Sequence, residues 1–575
     1  MPYILVENFN GGLDRRRKIS TAPPGTLWEL TNAHITRGGE IQKRKSFVET
    51  FSLPADTHGL ANLSGSLYVF GSVTTPSGIP AGITYQRLPH PNSAPSSAIV
   101  MTEIMDVDIF SGKLYVIAKY SDNSTYHFYD GTRITYWDSG TVQSGSSSTS
   151  DIAADLAALI DADAAYTASA VSNVVTVTAA VVAIPFTISG FITGSGTIAF
   201  AITVPASSGV AQVATLTVQG TWSAGDTYQI FLNSTAFGGT TANYVALTLD
   251  TKMYVAAGSI LRFSKVNSPI LWDETVASNA GAGFINISNH FSGSDALTAL
   301  SICGSELAVF ARRAIQLWSV FADEENNEPV QKINSTGTRC PRSVIPYSDS
   351  STLYLADSGV RTLKPRTSSS EATTNDIGRP VDSLIIAQVK TMTADRIRAI
   401  PAIVDPIDGR YWLACDDLIF VLSSFPASGQ GNIAAWSIYE PGFNVDHMVT
   451  VTDRIYVRSE DTIYLYGGED NDVFDDAEVI IQLPFLDAKK PADFKALEGL
   501  NFDAVGTWEV EILVDPRDLT QKVYMGTIEG FTYLDENMDA IGDTTHFAPR
   551  LISSEAAEIS LSNLAVHYEA EGPRK

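Results

Sequence analysis

The residues best placed to do chemistry are acidic, and each cluster lacks a partner the chemistry needs. Asp535, Asn537 and Asp539 put side-chain oxygens at alternate positions, as the start of a calcium loop does. That loop also needs a turn glycine and a closing glutamate, and the chain has Ala540 and His546 there. An acidic hairpin loop is the expected structure. A second cluster, Glu469, Asp470, Asn471, Asp472, Asp475 and Asp476, is read as a solvated linker. The eight histidines are scattered, with no pair at metal-ligand spacing, and His58, His290 and His447 are read as loop or core residues. Cys303, Cys340 and Cys415 are too few and too far apart for a disulfide framework or a zinc site, so they are expected to be small buried hydrophobes. Phosphate-binding loops, H-E-x-x-H and G-x-S-x-G nucleophile elbows are all missing from the sequence. The expectation is a protein with no enzymatic activity, no cofactor and no metal.

Charge narrows the partners. The chain of 575 residues carries a net charge of −26. Phosphate binding needs Lys and Arg to displace counterions, so specific nucleic-acid binding is excluded as a main function. The same charge suits a wall that nucleic acid passes without sticking. Charge is unevenly spread. Residues 466–575 hold 23 acidic and 8 basic residues. The first 50 residues hold 8 basic and 5 acidic ones, and Arg15, Arg16, Arg17 and Lys18 are consecutive. Those four are the candidate interaction residues, suited to docking an acidic face of a neighbouring subunit or ring. No stretch approaches the about 20 apolar residues of a membrane span. The N-terminus lacks a basic region followed by a long apolar one, so synthesis in a cytoplasm without Sec targeting is expected.

The elements that would position these residues are short strands. An apolar–aromatic–apolar triplet or its near equivalent recurs at Leu67-Tyr68-Val69, Leu114-Tyr115-Val116, Met253-Tyr254-Val255, Leu307-Ala308-Val309, Leu353-Tyr354-Leu355, Tyr411-Trp412-Leu413 and Ile455-Tyr456-Val457. Successive copies lie 44–58 residues apart, except for one interval of 139. Several are followed by a second aromatic-rich strand, as at residues 134–137, 315–318, 418–421 and 463–466. Such a period, built from strands, is that of propeller blades, because one small sheet cannot bury both faces and stacking blades does. The expected fold is mainly β: a six- or seven-bladed β-propeller, with a β-sandwich array as the structural alternative.

The long interval contains an insertion. Residues 139–240 have no Lys, Arg or His. A Ser/Gly linker at 144–150 leads to an amphipathic helix over 151–160, with Ser150 as its cap, and then to alternating strands. The module is read as a small α+β or β-sandwich unit. The expected domains are an N-terminal arm and first hairpin (1–50), propeller parts (51–138 and 241–466), the inserted module (139–240) and a separate acidic C-terminal β domain (467–575).

Several pieces, taken in order, resemble the tail nozzle (tail tubular protein B) family of short-tailed bacteriophages. They are Asn8-Phe9-Asn10-Gly11-Gly12-Leu13, Pro23-Pro24-Gly25, Thr31-Asn32-Ala33 and Gly38-Gly39-Glu40-Ile41-Gln42-Lys43-Arg44. Further along come Arg262 through Asp273, Ala356-Asp357-Ser358-Gly359-Val360-Arg361-Thr362-Leu363 and Asn375-Asp376-Ile377-Gly378-Arg379-Pro380-Val381-Asp382. The resemblance implies a structural virion protein, assembled in the host cytoplasm, that forms a homohexameric ring below the adaptor (gatekeeper) ring. Genomic DNA would leave through its lumen without specific binding, and tail fibre proteins would contact it. It carries no catalytic residues over. The alternative from another class is a receptor- or glycan-binding propeller at the tail tip.

Overall fold

The computed structural model describes residues 2–573 except 91–98, 135–148, 162–165, 183–185, 187, 194–195, 222–226, 233–234, 238–243, 273–280, 288–295, 349–350, 366–371, 426–432, 536–540 and 542–543. The fold is mainly β. Two compact units are present, Pro54–Lys332 and a second made of Met1–Leu53 with Ile333–Lys575.

Small sheets follow one another along the chain. In the first unit they are His58–Leu63, Ser66–Gly71 and Ile83–Arg87; Met101–Phe110, Lys113–Tyr120, Thr125–Tyr129 and Thr132–Arg133; Tyr244–Leu249, Lys252–Ala257, Ile260–Phe263 and Gly283–Asn286; and Leu297–Cys303, Glu306–Ala311, Ala314–Ser319 and Glu328–Asn334, whose last two residues pass into the second unit. The second unit continues with Ile345–Ser348, Ser351–Ala356, Gly359–Pro365 and Ala372–Asn375, then Ala402–Val404, Tyr411–Cys415, Leu418–Phe425 and Ile433–Tyr439. A seventh sheet, His447–Val451, Arg454–Ser459 and Thr462–Tyr466, takes its fourth strand from the N-terminal segment: Phe47–Ser52 pairs antiparallel with Thr462–Tyr466. The first sheet departs from the antiparallel pattern, since Ile83–Arg87 runs parallel to Ser66–Gly71. Each recurring triplet lies in the second strand of its sheet. Tight turns precede the first two, with positive φ at both Ser64 and Gly65 (51° and 84°) and at Ser111 and Gly112 (48° and 74°), the geometry that matches strand twist in a two-residue hairpin.

Within each unit the first strand of one sheet packs beside the first strand of the next. In the first unit the order is 58–63, 101–110, 244–249, 297–303. In the second it is 345–348, 402–404, 447–451. One of these contacts is polar. The Asp106 carboxylate accepts from the Ala246 backbone N–H at 2.8 Å, and Asp108 accepts from that of Thr248. Edge amides that would otherwise go unpaired are thereby satisfied.

The first 53 residues are woven into the second unit. Glu29–Thr31 sits inside a nine-stranded sheet, between Ile433–Tyr439 and Val479–Gln482. The expected first hairpin, Ala33–Ile35 and Ile41–Lys43, pairs with the long strand Ser560–Pro573. Tyr3–Val6 pairs with that same strand. The N-terminal arm and residues 467–575 therefore fall in one compact unit. The reason is the shared core, where Phe9, Leu13, Leu30, Ile35 and Ile41 pack with Trp436, Ile481, Trp508 and Leu564.

The inserted module places the helix Thr149–Asp161 on the sheet Tyr166–Val171, Val174–Ala179, Val213–Gly220 and Gly196–Val204. Ile152, Leu156 and Ile160 meet Val175, Val177, Leu216 and Val218. Ser150 lies inside this helix, which starts two residues earlier than its expected capping role requires. Most of the linker expected at 144–150 lies outside the described residues.

Candidate functional site

The basic segment 15–18 follows the short strand Gly12–Leu13, which pairs in parallel with Thr26–Leu27. Gly12 has φ 52°, and a Cβ there would come within 2.7 Å of Ala435 Cβ, so only glycine fits this close approach. The four cations emerging from it do different things. Arg15 lies with its guanidinium 4.0 Å from the centroid of the Trp28 ring, a cation–π contact. Its backbone N–H donates to Pro380 O at 2.8 Å. Arg16 is bound to Asp14, with Nε 2.9 and 3.0 Å from the two carboxylate oxygens and Nη2 2.5 Å from Oδ2. Burial pushes the Asp14 carboxyl up, but hydrogen bonds from Arg16 and the charges of Arg16 and Arg17 more than offset this and leave it below its usual range. Arg17 and Lys18 are exposed. Arg16 is exposed as well, but is paired with Asp14, while Arg15 holds the segment to its own fold through Trp28 and Pro380.

A second constellation joins two of the sequence pieces quoted above. Arg361 places Nε 2.8 Å from Asp376 Oδ1 and Nη1 2.8 Å from Asp382 Oδ2. Asp382 Oδ1 also accepts from the Val360 backbone N–H at 3.0 Å, and Gly378 N donates to Val360 O at 3.0 Å. Gly359, at φ 117°, leaves the space that the Asp382 carboxylate fills.

A third constellation involves three cations that sequence reasoning did not single out. Lys43 Nζ donates to the Asp475 and Glu555 carbonyls at 2.8 and 2.6 Å. Arg44 donates to Asn32 Oδ1, Lys45 O and Glu440 O, and pairs with Asp475 at 2.8 Å. Lys45 Nζ donates to Asn471 O at 2.5 Å. The acidic segment at 469–476 is thus anchored at Asn471 and Asp475 by a basic triplet, while Glu469, Asp470, Asp472 and Asp476 are exposed. Three consecutive cations in an acidic chain were the available signal.

A search for reactive groups finds structural ones. His90, Asp122 and Ser124 are buried together, but His90 Nε2 faces both Ser124 Oγ and Asp122 Oδ2 at 3.2 Å. A catalytic triad needs the carboxylate on the opposite ring nitrogen from the hydroxyl, so this arrangement does not activate the serine. Cys303, Cys340 and Cys415 are buried free thiols, and burial raises the Cys340 thiol to about 12. His58 lies in a strand and His447 begins another, with Arg342 Nη1 3.5 Å from its Nδ1, while His290 lies outside the described residues. The loop at 535–543 lies largely outside them as well. No group of three or more His, Cys, Asp or Glu among the described residues could hold a metal ion. A cavity of about 310 Å³ opens beside the helices Asp382–Val389 and Ala394–Ala399, lined by Leu355, Ile385, Val389 and Met392 with the Arg339–Asp357 ion pair. It holds no nucleophile–base pair.

Compared with known protein families and with curated proteins, the sequence matches none. Among solved structures the chain is similar to BamB from Moraxella catarrhalis, at 9% identity, covering 74% of this chain and 98% of that one with a TM-score of 0.32. It is also similar to a functionally unknown protein from Desulfotomaculum acetoxidans, at 10% identity over 44% and 71% of the two chains with a TM-score of 0.24. A third is the AfRom2 CNH domain, at 12% identity over 42% and 75% with a TM-score of 0.25. Likenesses at this level carry no functional information.

Proposed function

We propose that the chain is a tail nozzle subunit of a short-tailed bacteriophage, a structural protein that forms a six-fold ring around the path of the exiting DNA. The observation that supports this reading is that six of the seven pieces resembling that family lie in one compact unit, where several are bonded to one another. Phe9 N donates to Gly39 O, Gly11 N to Gly25 O, and Arg44 to Asn32. Arg15 N donates to Pro380 O, and Gly378 N to Val360 O. The pieces within residues 8–44 and within 356–382 therefore meet in one compact unit, while Arg262–Asp273 belongs to the other.

In the same reading the seven successive sheets are blades of one β-propeller. Support comes from the first strands, which neighbour each other within each unit. It also comes from Phe47–Ser52, which completes the seventh sheet from the opposite end of the chain. Docking to an adjacent ring would fall to Arg17 and Lys18, exposed cations of the basic segment, rather than to Arg16, which is exposed but paired with Asp14. The deciding experiment is an electron cryo-microscopy map of purified virions. Six copies around the axial channel, directly below the adaptor ring, are expected. Three copies at a fibre or spike tip would replace this reading with a receptor-binding one.

A further inference from the structure

One end of the inserted module is bare and aliphatic. Thr178 and Val204 both pair with Val213, and Ala179 N donates to Gln212 O, so the ends of three strands and the loops leaving them come together. Val181 and Val182 follow the strand that ends at Ala179, Ile202 and Val204 close the strand Gly196–Val204, and Val210 precedes the strand that starts at Val213; all five are between 38% and 55% exposed. Exposed aliphatics brought to one end of a sheet mark a surface that meets something apolar. The surrounding sequence says what. From residue 164 to residue 225 the chain has no Asp, Glu, Lys, Arg or His, although 18% of the whole chain is charged. A protein-docking surface is rimmed by polar and charged residues and anchored by Arg, Trp or Tyr. An element that enters a bilayer must instead exclude charge from everything it carries in, because each buried ion is costly there.

We propose that this aliphatic tip inserts into a lipid surface. With no cation at the tip, attachment is apolar and independent of anionic headgroups and of salt. The inference does not rest on the nozzle reading: a chain that binds vesicles and forms no six-fold ring would keep it.

The test is flotation of the full-length protein with vesicles of phosphatidylcholine alone, in low salt and in about 1 M salt, where screening reaches within about 3 Å. Co-flotation at both salt concentrations is expected. Ile202→Asp and Val182→Asp should each weaken it about tenfold or more, and Ile202→Leu should retain it. As a readout independent of these variants, Val210→Cys carrying an environment-sensitive dye should shift to shorter wavelength on vesicles, the native cysteines being buried. The proposal is overturned if the wild type fails to float, floats only with anionic lipid and detaches in salt, or floats equally well in the Asp variants. It is also overturned if the Asp variants instead reduce the size of a protein assembly formed without vesicles, which would make the tip a protein-docking surface.

Discussion

The Arg44 guanidinium and the Asp475 carboxylate, 431 residues apart in sequence, meet at 2.8 Å, with the arginine side chain 1% exposed and the aspartate 28%. The asymmetry sets a prediction. Arg44→Met removes the donor to Lys45 O, Glu440 O and Asp475, and one of the two donors to Asn32 Oδ1, which keeps the Glu440 N–H, and should cost about 3 kcal/mol of stability. Asp475→Asn leaves the other three acceptors in place at a partly solvated position, and should cost about 1 kcal/mol. Urea unfolding of the two variants checks this, and equal losses would contradict it.

His127 supplies a pH dependence. It is fully buried, with Nδ1 2.9 Å from the Tyr115 hydroxyl, and burial pushes it from 6.5 down to about 3. Below about 6.5 the unfolded chain takes up a proton at this position that the folded chain refuses, so stability is present above that pH and drains away as pH falls toward 3. A single such group contributes a slope of up to about 1.4 kcal/mol per pH unit. His127→Gln should flatten the acid limb of a stability–pH curve measured by urea titration, while His34, shifted the same way by burial, keeps part of it. An unchanged limb would remove His127 from the account.

The Gly359–Asp382 contact predicts a contrast between two glycines. Gly359→Ala would drive a methyl group into the Asp382 carboxylate at φ 117°, breaking its hold on Val360 N and Arg361. A loss of about 3 kcal/mol is expected. Gly409→Ala, at φ 69° with nothing within 4 Å of the new methyl, should cost only about 1 kcal/mol. Thermal unfolding of both variants distinguishes steric collision from backbone preference.

The basic segment predicts a separation of stability from assembly. Arg17→Glu and Lys18→Glu, at exposed positions, should leave the unfolding midpoint within about 0.5 kcal/mol of wild type while reducing incorporation into virions. Arg15→Glu should lower the midpoint, because it places a carboxylate against the Trp28 ring face in exchange for a cation. Normal virions from the double reversal at Arg17 and Lys18 would end the docking idea.

The parts of this fold that the sequence made legible are those buried on both faces. Second strands such as Tyr411–Cys415 and Ser351–Ala356 are almost wholly buried, so they read as apolar runs. First strands such as His447–Val451 are partly exposed throughout and gave no pattern. Partners far apart in sequence were invisible for a different reason. Nothing local to Phe47–Ser52 tells that it pairs with Thr462–Tyr466, or that Glu29–Thr31 will sit between strands more than 400 residues onward. Charge counting found the basic segment at 15–18. It could not find that Asp14 and Trp28 occupy half of it, since that depends on the turn that brings residue 28 beside residue 15.

The strand Phe47–Ser52 also sets a timetable. A ribosome adding about 5–20 residues per second needs roughly 20–80 s to reach Tyr466 after Ser52 has been made. Throughout that interval this strand lacks its partner, Glu29–Thr31 lacks Val479–Gln482, and Ile41–Lys43 has only its hairpin partner Ala33–Ile35. The nascent chain therefore carries open strand edges in this segment until those partners are made, and the second unit can close only after Ser560 and Leu561 have been translated.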